Sequence, residues 1–176
     1  YKNFDNLYTL NQKKEKVKMD STFIDCFQLS ADIYKSLPSF DPSTGTILSL
    51  WHETRETKIL PTQDMIENAR QHVGMDKIQI QENAITFLDS SLLLDLGGIA
   101  NGYTTQLAKE ALEKAGCKHG FINAGGNVVL IGNKEDGSQW TIGIQNPDKN
   151  ESILSIQAKK DQPFVTSGDY QRTVES

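Results

Sequence analysis

Cysteine is nearly absent: Cys26 and Cys117 are the two in 176 residues. Two thiols this far apart, without CxxC spacing, make neither a zinc site nor a disulfide scaffold. The three histidines, His52, His72 and His119, show no HxxxH or HExxH spacing, which argues against a histidine-rich metal centre. No apolar run approaches the roughly 18 residues a membrane helix needs. Basic charge is also in deficit. Eighteen Lys and Arg against 23 Asp and Glu give a net charge of −5, without the basic footprint that nucleic-acid binding requires. The one locally basic stretch, Lys13-Lys14-Glu15-Lys16-Val17-Lys18, reads as a solvated linker before a helix. The sequence opens at Tyr1 with neither a Met nor a charged-then-apolar leader, as a processed or trimmed chain would.

What is present suits about one domain with a sizeable core. Asp20 or Ser21 can cap a helix in which Phe23, Phe27, Ala31 and Tyr34 recur at fourfold spacing, with Cys26 on its apolar face and Pro38 as its stop. Ser39 to Gly45 is a turn by composition. A second helix is expected from about Thr62, with Met65, Ile66, Ala69 and Val73 on one face and Gly74 past its end. Ile78, Ile80, Ile85 and Phe87 alternate across Glu82-Asn83 as a hairpin. Leu92 to Leu94 reads as a strand. It is followed by a glycine loop and a helix whose stripe is Tyr103, Leu107, Ala111 and Leu112. Strands are expected at Phe121-Ile122, Val128 to Ile131, Trp140 to Ile144, Ile153 to Ile156 and Pro163 to Val165. Strands that follow one another directly imply an α+β fold, a largely antiparallel sheet with flanking helices.

Three glycine-containing turns, Gly97-Gly98, Gly125-Gly126 and Ser167-Gly168, each follow an apolar strand. Such turns deliver backbone amides to one rim of a sheet, and glycine lets a phosphate approach them. The first also opens a helix, whose N-terminal amides from about Ala100 to Tyr103 favour an anion. Each turn taken alone reads more readily as an ordinary turn. Together they are expected to line one cleft. The spacing is neither GxGxxG nor a Walker A loop, so the common nucleotide folds are not supported.

Longer stretches are more specific. LDLGGIANGYTTQLAKEAL (Leu94 to Leu112) closely resembles the LDLGGIAKGYA-type signature of the FAD:protein FMN transferases, the ApbE or thiamine biosynthesis lipoprotein family. SFDPSTGTILSLW (Ser39 to Trp51) resembles that family's FDPTxGPLxxLW. FINAGGNVVLIG (Phe121 to Gly132), WTIGIQNP (Trp140 to Pro147) and FVTSGDYQR (Phe164 to Arg172) resemble INAGGNVxxxG, WxIGIxxP and VxTSGDYxR. Five matches in family order cover most of the chain from Ser39 onward.

The resemblance implies a T-fold-related α+β domain over residues 1–176, incomplete at both ends. It implies binding of FAD with Mg²⁺, cleavage of the pyrophosphate, and transfer of FMN to a Thr hydroxyl of an acceptor flavoprotein subunit with release of AMP. Family members are bacterial, and many are lipoproteins anchored on the extracytoplasmic face of the membrane. The anchor of this one would lie outside the sequence. Carried over residue by residue, FAD contacts fall to Ser39, Phe40, Asp41, Gly97, Gly98, Tyr103, Ser167 and Gly168, with Tyr1 as a looser match. Ala100 takes the position whose carbonyl ligates Mg²⁺, a suitable hard donor. Tyr103 has a second reading as a core aromatic. Asp95 either orients the loop through backbone amides or is a simple turn carboxylate.

Two departures stand out. Asn101 replaces the usual Lys, removing a cation near the diphosphate while keeping a hydrogen-bond donor. The family's HxxDPxxG segment, its later Asp/Thr pair and its Met-Gly-Thr opening have no counterpart, so the catalytic group is not identified. The expected function is therefore FMN transfer, with this chain as the FAD-binding portion. The rival reading is a non-catalytic flavin-binding module. A flavin-bearing acceptor is disfavoured, because no Asp-x-x-x-Ser/Thr-Thr-type acceptor motif is clear.

Overall fold

The structure, a computed structural model, describes residues 5–13, 15–146, 151–158 and 160–167. The described chain divides into two compact units, with the division in sequence between Ile99 and Ala100.

The first unit begins with α1 (Leu7–Lys13) and a short strand, β1 (Val17–Lys18). The basic stretch is therefore not a linker. Val17 is 3% exposed and pairs with Ile85, while the lysines around it keep their charges in water, as on a protected sheet edge. In α2 (Ser21–Ser36), the Asp20 carboxylate caps the helix by accepting from the Phe23 amide at 2.9 Å. Cys26 and Phe27 on its inner face are buried, and burial pushes the Cys26 thiol pKa up.

The Ser39 turn ends in a helix, α3 (Gly45–Thr57), that no sequence pattern announced. It buries Gly45 and Thr54 rather than an apolar stripe, so periodicity gave no signal. Helix α4 (Gln63–Gln71) is capped by Thr62, as expected. A 3₁₀ turn at Met75–Lys77 then leads into β2 (Ile78–Gln81) and β3 (Ala84–Phe87). Glu82 and Asn83 between them both have left-handed φ, 51° and 60°, the geometry of a two-residue hairpin whose twist matches its strands. Ile78 faces Phe87 and Ile80 faces Ile85 across an antiparallel sheet ordered β1-β3-β2.

The second unit contains α5 (Ala100–Lys114), β4 (Gly120–Ala124), β5 (Asn127–Ile131), β6 (Trp140–Gln145), β7 (Ser152–Ala158) and β8 (Pro163–Val165). One antiparallel sheet runs β4-β5-β8, and β6 pairs antiparallel with β7. The α+β class and the antiparallel pairing agree with the sequence pattern. The α5 stripe does not. Leu112 is 42% exposed, whereas Thr105 and Lys109 are the buried residues of the helix. A lysine can go inside when its charge finds a partner there, and periodicity alone cannot register that.

Candidate functional site

In the first unit the residues before the glycine loop do not form a ladder strand. Leu92, Leu94 and Leu96 alternate inward at 0%, 2% and 3% exposure, but among the described residues the strand pairing here is a bridge between Leu93 and Thr44. Side chains supply the missing partners. Asn11 donates to the Leu94 carbonyl at 2.9 Å and accepts from the Leu94 amide at 3.0 Å, imitating a neighbouring strand. Thr46 Oγ1 accepts from the Leu93 amide at 3.1 Å and donates to the Ser91 carbonyl at 3.0 Å. The Gly45 amide donates to the Leu93 carbonyl at 3.0 Å, and a Cβ on Gly45 would stand 2.5 Å from that oxygen. Glycine is what permits this approach.

The segment delivers Asp95 at a fixed place. Its amide donates to the Pro42 carbonyl at 2.8 Å and its Oδ1 accepts from the Gly97 amide at 2.7 Å. Asp95 thus orients the loop, one of its two sequence readings. The same residue lines a cavity of about 280 Å³ together with Tyr8, Asn11, His52 and Leu94. Gly97 and Gly98 are exposed, and a Cβ on Gly98 would meet the Phe40 ring edge at 3.0 Å. Ser39 is exposed beside half-buried Phe40. Asp41 Oδ1 accepts from both the amide (2.8 Å) and the hydroxyl (2.6 Å) of Ser43. The Ser43 hydroxyl in turn accepts from the Gly74 amide at 2.9 Å. The Phe40-Asp41 and Gly97-Gly98 segments are therefore brought together within this unit.

In the second unit the start of α5 is clipped to the Ala124–Asn127 turn. Asn101 Nδ2 donates to the Ala124 carbonyl at 3.0 Å, and a Cβ on Gly102 would lie 3.5 Å from Asn127 Nδ2. Gly125 and Gly126 have φ of 61° and 92°, and the Gly126 amide donates to Asn123 Oδ1 at 3.2 Å. On the other side of the turn, the Thr166 amide donates to the Gly126 carbonyl at 3.1 Å. The helix start, the second glycine turn and the segment entering the third are thus contiguous. An α-helix presents amides without intrahelical acceptors in its first turn, at the positive end of its dipole.

The sequence pattern that defines the ApbE family matches residues 1–176. The chain belongs to the ApbE family. It is 27% identical over 140 residues to the FAD:protein FMN transferase of Vibrio cholerae, covering 78% of this chain and 42% of that protein. Among solved structures, the ApbE protein of Thermotoga maritima is 30% identical with a TM-score of 0.79, covering 94% of this chain and 55% of that one. The Vibrio cholerae flavin transferase ApbE, 23% identical, shares the fold with a TM-score of 0.79 over 95% of this chain and 56% of its own. This chain spans about half the length of the ApbE proteins it matches.

Of the residues the resemblance assigned to flavin, Tyr1 and Gly168 lie outside the described residues. Tyr103 is half-buried in the first turn of α5, and Ser167 is exposed after β8. Asn101, in the place of the usual ApbE lysine, is not a bystander, because its amide group holds the Ala124 turn. The described residues do not fit the Mg²⁺ ion. The Ala100 carbonyl accepts the Thr104 hydroxyl at 2.8 Å in addition to its place in the helix ladder. No group of three His, Cys, Asp or Glu among the described residues could hold a metal. Mg²⁺ demands near-octahedral oxygen coordination, and one committed carbonyl does not supply it.

Sequence reasoning missed Asn11, Thr46, Asn123 and Lys109. The first two act as surrogate strand partners from distant sequence, with no local signal. Lys109 Nζ lies 2.9 Å from Asp161, and this ammonium, followed by the Gly132 amide at 3.3 Å, holds the Asp161 carboxyl below the ordinary carboxylate range.

Proposed function

We propose that this chain is the FAD-binding portion of an FAD:protein FMN transferase. The observation carrying the reading is the contiguity in the second unit of the α5 start, the Ala124–Asn127 turn and Thr166. Backbone amides at a helix start and at glycine turns suit a diphosphate. Ser39, Phe40, Asp41, Gly97 and Gly98, together with Tyr103, Ser167, Gly168 and Tyr1, contribute contacts to FAD.

In the transfer, the hydroxyl oxygen of an acceptor threonine attacks the FMN phosphorus. The bond from that phosphorus to the bridging oxygen breaks, AMP leaves with that oxygen, and the hydroxyl proton passes to a base. The product is a phosphoester-linked FMN. Mg²⁺, when bound, would neutralise charge on the pyrophosphate, but the described residues give no basis for routing a step through it. The acceptor is a flavoprotein subunit, and the site of action is the extracytoplasmic face of a bacterial membrane, reached by a lipid anchor outside these residues. Only the family resemblance supports these last assignments.

A second reading, a flavin-binding module without catalysis, draws on the Ala100 carbonyl, which already accepts the Thr104 hydroxyl. Incubating the protein with FAD, Mg²⁺ and an acceptor flavoprotein subunit separates the two. Saturable FAD binding by residues 1–176, with FMN added to the acceptor and AMP released by the full-length protein, is the expected result. Saturable FAD binding without transfer by the full-length protein supports the second reading, and absence of FAD binding overturns both.

A further inference from the structure

Lys109 is 7% exposed on α5, and its charge is met by Asp161 Oδ1 at 2.9 Å and by Glu113 at 3.8 Å. Lysine is almost never buried without a partner, because an unpaired ammonium inside costs far more than its stem gains. Asp161 lies in the connection between β7 and β8 with φ +59°, the left-handed region. Its Oδ1 also accepts from the Gly132 amide, and the Gly132 carbonyl accepts from Trp140 Nε1 at 3.0 Å. One carboxylate therefore gathers α5, the end of β5 and the approach to β8.

Strand β8 needs such an anchor. It is three residues long and lies at the edge of its sheet. Its first residue, Pro163, has no amide to donate to the ladder. Its register places Pro163 opposite Val129, Phe164 opposite Val128 and Val165 opposite Asn127, and the next residue, Thr166, bonds Gly126. A slip of one residue would turn every β8 side chain to the other face and carry Thr166 and Ser167 away from the glycine turn.

We propose that the Lys109–Asp161 ion pair is a positioning element of the flavin site: it fixes the register of β8 and so holds Thr166 against Gly126, with Ser167 following it in the chain. This rests on the FAD reading above for its functional consequence, though not for its structural one. Lys109 is buried while Asp161 is exposed, so the pair adds little net stability, and fixing geometry is the use that such a pair is best suited to.

The test combines hydrogen exchange with FAD titration on Lys109→Met, Asp161→Asn and Lys109→Arg. Asparagine tolerates left-handed φ, so Asp161→Asn keeps the backbone and removes the charge even if Lys109→Met fails to fold. In Lys109→Met and Asp161→Asn, the Thr166 amide should exchange at least tenfold faster while β4–β5 amides keep their protection. The FAD dissociation constant should rise at least tenfold in both, and Lys109→Arg should restore both readouts. Unchanged Thr166 exchange in Asp161→Asn overturns the proposal. So does faster exchange with unchanged FAD affinity, which leaves the FAD reading standing. No FAD binding by the unaltered protein overturns the FAD reading and the functional part of this one together.

Discussion

The two units build a glycine loop in opposite ways. In the first, three fully buried leucines and a glycine–backbone approach clamp the chain before Gly97 and Gly98, so the loop rides on packing. In the second, the buried apolar residues among those described are Val129, Leu130, Ile131 and Ala158, and the loop is held by Asn101, Asn123 and the Lys109–Asp161 pair. Packing is strong and insensitive to pH. Polar clips are individually weak but directional, so they set geometry more than they add stability.

The largest expected effect follows from the packed side. Leu94→Ala removes a side chain 2% exposed and should destabilise the first unit by ~2–5 kcal/mol, read by urea denaturation. A loss no greater than that of an exposed-site control such as Ile59→Ala would mean the leucine segment is not a clamp, and the contrast between the units would collapse.

A smaller effect comes from acid. In the first unit the His72 hydrogen bond, then the Ser91 amide, holds the Asp89 carboxyl below its ordinary range. Lys109 does the same for Asp161 in the second. A carboxyl whose folded pKa is depressed stabilises the fold at pH above its unfolded value of about 3.9, and that contribution is lost as pH falls through the folded pKa. Asp89→Asn and Asp161→Asn should therefore each flatten the fall in stability below about pH 5. Denaturation profiles as steep as that of the unaltered protein would show that the carboxylates do not couple to folding.

Much of this was legible in the sequence, and two of the failures share one cause. Asp20 and Thr62 announced their helices, and Glu82-Asn83 announced its hairpin, because caps and tight turns depend on neighbours. Leu92 to Leu94 was readable as extended and alternating but not as unladdered, since its partners Thr46 and Asn11 lie 47 and 83 residues from the backbone groups they bond. Lys109 broke the α5 stripe for the same reason, its partner being 52 residues onward. The glycine motifs were legible as sites for backbone amides. Which polar side chains pin them was not.

The smallest change in stability is expected for Asn101→Lys, which gives up one exposed hydrogen bond, worth ~0.5–1.5 kcal/mol, and restores a cation beside the proposed diphosphate site. FAD affinity should tighten several-fold at low salt and lose that gain as ionic strength rises. Weaker FAD binding at every salt concentration would mean the clip to Ala124 matters more to the site than the charge does.

The central claim, that the glycine loops of this ApbE-family chain bind FAD, is tested most directly by fluorescence titration of FAD against the unaltered protein and Gly98→Val. A Cβ at the substituted position points toward the Phe40 ring, at a backbone conformation that is not left-handed. Saturable binding by the unaltered protein and at least tenfold weaker binding by Gly98→Val are expected, with far-UV circular dichroism unchanged. Equal affinity in the two proteins, or no saturable binding in the unaltered one, would contradict the claim.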